Sequence, residues 1–352
     1  MQIRPTDLRG HSIFQQAVNL KGSILYICLF IIFLLSTFAI TISYGVRLKL
    51  ALVKRLQDRD RLRFIAEAGI KRAIAEFKYL SSVSHISLKE SILNSKGLFK
   101  DVSLGDETYS ICYGCMDGEG KPKGEYLHYG LIDESRKINL NKADRHTLER
   151  LFKTVLGIDE IESQELAASV LDWRDGDSQL SIPLGSAEDS YYRYLQYPYE
   201  AKDAEFQILE ELLLVKGMNQ DNFEKLKDYI TIYGDGKVNV NTASKTVLLS
   251  TGLDENIVEK IIEFRNGEDG IAGTEDDNIF DLPSNIVPRV SQIIPLSDAA
   301  LARLTTIAER NLTTNSEYFM IPCIVKISGT NSFFRVICVI DRQGKVIRWQ
   351  EL

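Results

Sequence analysis

Histidine is scarce in this sequence, with four in 352 residues at positions 11, 85, 128 and 146, too dispersed for a short-range catalytic dyad. There is no His-Glu-x-x-His helix, no Gly-x-Ser-x-Gly elbow and no glycine-rich loop ending in Lys-Ser or Lys-Thr. Those absences remove the usual signatures of zinc peptidases, α/β-hydrolases and P-loop enzymes, so no enzymatic activity is expected. Positive charge is also in deficit. At a net charge of −7, the chain lacks the lysine and arginine excess that phosphate backbones demand. Long apolar runs are missing too, except for one.

That run lies between Lys21 and Gly45 (KGSILYICLFIIFLLSTFAITISYG). About 20 apolar residues at 1.5 Å each reach roughly 30 Å, the thickness of a bilayer core. A secretory signal has a shorter apolar core and a small-residue cleavage site after it. No clear Ala-x-Ala boundary follows here, so a retained single-pass anchor is expected. Flanking charge leaves the orientation open, with Arg4, Arg9 and Lys21 before the run and Arg47, Lys49, Lys54 and Arg55 after it.

Of the five cysteines, Cys28 falls in the run, leaving Cys112, Cys115, Cys323 and Cys338. Four cysteines are compatible with two disulfides in three connectivities. Cys112-Tyr-Gly-Cys115 also resembles half of a zinc or redox site, but there is no second Cys-x-x-Cys to complete it. From Val46 to Tyr79 there is no proline and one glycine, while Leu48, Leu52, Leu56, Ile65, Ala68 and Ile74 recur at helical spacing. A helix is expected to continue out of the apolar run, its polar face either solvated or packed on sister helices. Further on, alternation predicts strands over Asp106–Met116, Glu125–Ile132, Tyr318–Ser328, Ser332–Asp341 and Lys345–Trp349. Strands therefore flank a long middle of different character.

The middle repeats itself at an offset of one hundred residues. Lys137-Ile-Asn-Leu-Asn-Lys-Ala143 matches Lys237-Val-Asn-Val-Asn-Thr-Ala243. Each copy continues into a helical run, a Gly-x-Asp-Glu turn (157–160 and 252–255) and a second helix, which ends at an arginine (Arg174, Arg265) inside an acidic, glycine-containing tail. Helix, glycine hairpin, helix is also how some proteins hold a DNA backbone. A membrane-anchored DNA receptor is thus the alternative function, but Asp159, Glu160, Asp254 and Glu255 beside the hairpins oppose it.

The sharpest chemical signal is Asn266-Gly-Glu-Asp-Gly-Ile-Ala-Gly-Thr-Glu-Asp-Asp-Asn278. Oxygen donors on Glu268, Asp269, Thr274, Glu275, Asp276 and Asp277 alternate with three glycines. Such a loop suits calcium, which takes six to eight oxygens in flexible geometry, better than magnesium. A second acidic group, Asp172, Asp175 and Asp177 with Glu188 and Asp189, is a further candidate for Ca2+. It precedes SYYRYLQYPYE (190–200), whose tyrosines suit either packing or a partner-facing patch.

These features together resemble the minor pseudopilin K family of type II secretion systems. The resemblance rests on the Gly-preceded apolar run, Arg63-Phe-Ile-Ala-Glu-Ala-Gly69, the Asn-x-Asn segments, Leu-Asp-Trp-Arg-Asp (171–175), Glu188-Asp-Ser-Tyr-Tyr192, Leu209-Glu-Glu-Leu-Leu213 and Arg-Trp-Gln-Glu (348–351). It implies an α+β pseudopilin fold, a long N-terminal helix on an antiparallel sheet with a large inserted helical domain. The corresponding divisions are a prepilin leader 1–22, helix 23–80, sheet 81–136, insert 137–290 and sheet 291–352. It further implies cleavage by prepilin peptidase between Gly22 and Ser23, methylation of Ser23, and an inner-membrane anchor with a periplasmic domain. The implied partners are the minor pseudopilins I and J, the pseudopilus and the inner-membrane assembly platform; nucleic acid is not among them. Most pilin-like subunits carry a glutamate at the fifth mature position, where this chain has Ile27. An unpaired carboxylate at membrane depth costs about 2.5–3.5 kcal/mol, so isoleucine suits a tip subunit with no neighbour above. An unrelated single-pass calcium-dependent adhesion protein would instead leave Gly22 uncut.

Overall fold

The computed structural model describes residues 16–78, 83–114, 128–326 and 333–352, with side chains from Ser23 onward. Helix α1 runs unbroken over Gln16–Phe77. Among the described residues it is the one helix long and apolar enough to cross a membrane. From Ile24 to Leu56 its large apolar side chains are all exposed. The pattern changes at Leu62, where Leu62, Ile65, Ala66, Ile70, Ala73 and Phe77 are buried, the stripe spacing of a helix with one face on a core.

That stripe covers an antiparallel sheet. After the short α2 (Lys96–Phe99) come β1 (Val102–Leu104), β2 (Glu107–Tyr113), β3 (His128–Tyr129) and β4 (Ile132–Asp133). The order is completed near the C-terminus by β9 (Tyr318–Lys326), β10 (Phe333–Asp341) and β11 (Val346–Glu351), giving β1-β2-β9-β10-β11 with β3 beside β2 and β4 beside β9. β2 is thus hydrogen-bonded to a strand more than two hundred residues later, Ile111 opposite Cys323. The chain between β4 and β9 is inserted at that seam. Phe77 closes the helix–sheet core against Phe319, with ring centroids 4.6 Å apart.

Gly69 is the one glycine in the packed part of α1, and the reason is steric. A Cβ there would lie 2.7 Å from the ring of Tyr109 on β2. We expect Gly69→Val to lower stability by about 1–3 kcal/mol, the usual cost of overpacking, read as a lower urea midpoint at unchanged slope.

The insert has its own core, from Ile138 to Leu312, and is built from two copies of one unit. In the first, β5 (Ile138–Asn139) leads into α3 (Arg145–Leu156) and α4 (Glu160–Arg174). The short α5 (Asp189–Tyr192) and α6 (Gln220–Leu226) follow, and β6 (Ile230–Thr231) returns parallel to β5. In the second, β7 (Val238–Asn239) leads into α7 (Lys245–Ser250), α8 (Glu255–Arg265), α9 (Ile286–Ile293) and α10 (Asp298–Asn311). There β8 (Leu312–Thr313) closes parallel to β7. Gly157 ends α3 at φ +70°, the left-handed cap that lets the chain reverse into α4.

The repeated asparagines and arginines are structural. Asn141 bonds both backbone groups of Phe206 (2.7 and 3.0 Å), and Asn241 does the same to Phe280 (2.9 and 2.9 Å). Arg174 donates to the carbonyls of Leu140 and Ala143; Arg265 donates to those of Val240 (3.2 Å) and Ala243 (2.6 Å). Each arginine therefore ties the end of the second helix to the turn after the first strand, satisfying carbonyls that the turn leaves free.

Cys112 is disulfide-bonded, while Cys115 lies outside the described residues. Cys323 and Cys338 are free, so the two-disulfide arrangement is not formed. Both are buried in the sheet core, and burial pushes their thiols up to about 12 and about 11, which keeps them protonated and poorly nucleophilic.

Candidate metal centre

The acidic tail of the first unit closes on itself. Asp172 lies in the last turn of α4, wholly buried, and its carboxylate oxygens accept from the Ser181 N–H at 3.1 and 3.2 Å. Asp175 follows as the residue that caps α4, and Asp177 accepts from Gln179 N–H at 2.8 Å. The chain then loops out and returns through Glu188, which directly precedes α5 and is buried. Asp175, Asp177 and Glu188 each place one carboxylate oxygen within 4.8 Å of the other two.

Two buried oxygens in this group, Oδ1 of Asp175 and Oε1 of Glu188, have no hydrogen-bond donor. Burial, reinforced by Asp172, Asp175, Asp203 and Asp177, pushes Glu188 up to about 7. Burial and the charges of Asp172 and Asp177 also raise Asp175, with Arg174 opposing. Orphaned oxygens among like charges are costly unless a cation or proton joins them. The all-carboxylate donor set, without histidine or cysteine, suits a hard cation such as calcium and not zinc. Asp189 is committed elsewhere, accepting from Ala201 N–H (2.9 Å) and pairing with Arg193 (2.8 Å).

The second acidic loop is organised differently. Asp276 accepts from the Thr274 hydroxyl (2.7 Å) and from the N–H groups of Asp269 (3.0 Å) and Glu268 (2.6 Å). Those bonds, the Thr274 hydroxyl's above all, hold it down to about 2. Asp277 accepts from Gly273 N–H and Asp269 from Ile271 N–H, each at 2.7 Å. The Lys89 ammonium, from the segment between α1 and α2, donates to the carbonyl of Glu275 and lies 3.5 Å from that of Asp277. Among the described residues, Glu268, Asp269, Glu275, Asp276 and Asp277 do not gather three carboxylates around one point as the first loop does. Sequence reasoning passed over Lys89 because it is 186 positions from Glu275, with no local signal linking the two.

Gly22, Ser23 and Ile27 all lie within α1, and Ile27 is exposed. Residues 1–15, the start of the expected leader, lie outside the described residues.

Known proteins resemble this chain in a family domain, in sequence and in fold. Residues 130–235, which hold the first unit and the carboxylate cluster, match the family model described as type II secretion system (T2SS), protein K. The type II secretion system protein K of Pseudomonas aeruginosa is 30% identical over 157 residues, covering 44% of this chain and 45% of that one. The match therefore spans about half the length of this curated relative. Among solved structures, a chain of the GspK-GspI-GspJ complex from the enterotoxigenic Escherichia coli type 2 secretion system superposes with a TM-score of 0.64 at 14% identity. That alignment covers 85% of this chain and 99% of the other, and it shows a shared fold, a long N-terminal helix on an antiparallel sheet.

Proposed function

We infer that this chain, which carries the type II secretion system protein K domain over residues 130–235 on a pseudopilin scaffold, is a minor pseudopilin that seeds and caps the secretion filament. The observation that carries the reading is one continuous helix, exposed and apolar at its start and packed on a sheet at its end, with a bulky double unit inserted between β4 and β9. Exposed leucines, isoleucines and phenylalanines along α1 suit both a bilayer and lateral packing of helices from sister subunits. A body enlarged at the sheet leaves little room for another subunit above it. Ile27 in place of an acidic residue is consistent with that end position, since no neighbouring amine is there to pair a carboxylate.

The partners follow the related complex: the I and J pseudopilins beneath, and through them the pseudopilus and its inner-membrane assembly platform. The chain would sit in the inner membrane with its sheet and insert in the periplasm. Its role is mechanical and adhesive, with no reaction assigned to any residue. Calcium belongs with Asp175, Asp177 and Glu188, where it would supply the positive charge that the buried, donor-less oxygens lack. The 268–277 loop contributes to the same reading only weakly, because its carboxylates are occupied by their own backbone.

Intact-mass analysis of membrane-purified protein, with and without co-expressed prepilin peptidase, tests the assignment. The expected result is loss of residues 1–22 and a methylated Ser23 only when the peptidase is present. An uncut chain alongside active peptidase would overturn the filament reading and leave a permanent bitopic anchor.

A further inference from the structure

Five large apolar side chains are exposed within a short stretch of the insert: Leu180, Leu184, Tyr191, Tyr194 and Tyr197. Leu184 is 95% exposed, Tyr194 92% and Tyr197 79%. Leu184 also sits at φ +65°, a left-handed conformation that brings a leucine's Cβ too close to the following carbonyl. A residue that is both strained and unburied gives the fold nothing in return, which marks it as a candidate for contact with something else.

The base beneath these side chains is rigid. Tyr192 is buried, edge-on to Trp173 (5.3 Å) and stacked on Tyr199 (5.2 Å), whose hydroxyl donates to the Leu214 carbonyl at 2.8 Å. Lys216 donates to the Gly185 carbonyl at 2.8 Å and lies 5.3 Å from the Tyr191 ring, fastening the Leu184 turn beside that tyrosine. The backbone turn that carries Leu184 is therefore fastened to this base, which lowers the entropy lost on binding.

Charge identifies the occupant. Between Asp172 and Glu205 there are eight carboxylates against Arg174, Arg193 and Lys202, so this stretch carries five of the chain's seven net negative charges. One divalent ion at the carboxylate cluster would still leave it acidic. Phosphate-bearing surfaces, whether nucleic acid or an anionic bilayer, are repelled. A cationic segment is attracted, and exposed tyrosine rings offer it cation–π contacts. We propose that the Leu184–Tyr197 face of the insert docks a lysine- or arginine-bearing segment of another protein, anchored by an aliphatic or aromatic side chain between Leu184 and the tyrosines. This surface is independent of leader processing and of the assignment to the filament.

The test uses the full chain in nanodiscs, in calcium-containing buffer, and fluorescence anisotropy of a synthetic peptide alternating lysine with leucine and tryptophan. Binding should weaken at least about ten-fold in the triple variant Leu184→Ser, Tyr194→Ser, Tyr197→Ser, as for loss of interface anchors. Circular dichroism should be unchanged, since all three side chains are exposed. Replacing lysine by glutamate in the peptide, or its apolar residues by serine, should each cost a similar factor. Unchanged binding by the triple variant, or equal binding of either control peptide, overturns the proposal. So does self-association of the chain, or capture of phosphatidylglycerol vesicles, that the same triple substitution abolishes, because the face would then belong to a second copy or to lipid.

Discussion

Chelating calcium should lower the unfolding temperature of the full-length protein, and Asp175→Asn with Glu188→Gln should remove that dependence. With calcium at about one hundred times its dissociation constant, a single site that binds only the folded state adds about 2.7 kcal/mol. For a folded body the size of Leu62–Leu352 that corresponds to a rise of roughly 4 °C. The sign in the metal-free protein is the more searching check. Glu188 is pushed up to about 7 from an ordinary 4.5, so the folded state holds a proton there that the unfolded chain releases. Its contribution is complete below about pH 4.5 and is lost as pH rises through about 7. Metal-free protein should therefore lose stability between about pH 4.5 and 7, and Glu188→Gln should flatten that slope. Calcium should act in the opposite sense, protecting more as pH rises, because it binds ionised carboxylates. Differential scanning fluorimetry in EGTA and in calcium chloride across this range reads all of these. Equal unfolding temperatures in the two buffers at every pH would remove calcium from the functional reading.

What the sequence made legible was whatever left a periodic or repeated trace. The helix from the apolar run to Phe77 was readable because leucines and isoleucines recur at helical spacing with no proline to interrupt them. The C-terminal strands alternate in burial, as in Tyr318–Lys326, and were placed to within two residues. The two units of the insert were visible because Asn-x-Asn, the Gly-x-Asp-Glu turn and the terminal arginine each have a local structural duty that must be met twice. By contrast, the parallel pairs β5–β6 and β7–β8 are two residues per strand, too short for any period to register. The acidic loops illustrate a different limit. Density of acidic residues singles out 268–277, yet convergence in space depends on where the backbone amides point, and there they occupy the carboxylates themselves. At 175–188 the third carboxylate arrives from beyond a loop, and its oxygen is left without a donor.

Asp133 was equally invisible in the sequence, and its removal should be among the most damaging single changes in the molecule. It ends β4 at the seam between sheet and insert, 2% exposed. One carboxylate oxygen accepts from Ser135 N–H at 2.7 Å. The other accepts from the Asn239 amide at 2.8 Å and the Thr242 hydroxyl at 2.6 Å. Burial raises its pKa, while hydrogen bonds from Ser316, Thr242, Asn239 and Ser135 work against the shift. Asn239 also donates to the Ile86 carbonyl at 3.0 Å, so one side chain of the second unit is tied to two separate segments of the helix-and-sheet body. Asp133→Ala would take the acceptor from the Ser135, Asn239, Thr242 and Ser316 donors, at about 1–3 kcal/mol for each buried group left unsatisfied. Partial relaxation brings the expected loss to about 3–5 kcal/mol, measured as a fall in the urea midpoint. Asp133→Asn keeps the shape and one acceptor oxygen while turning an amide toward donors, so it should cost less than alanine but more than nothing. If the seam is held by this hub, trypsin should cut the alanine variant between sheet and insert well before either core is degraded. An alanine variant within about 0.5 kcal/mol of the parent, the range of an ordinary surface substitution, would mean that apolar packing alone fixes the insert on the sheet.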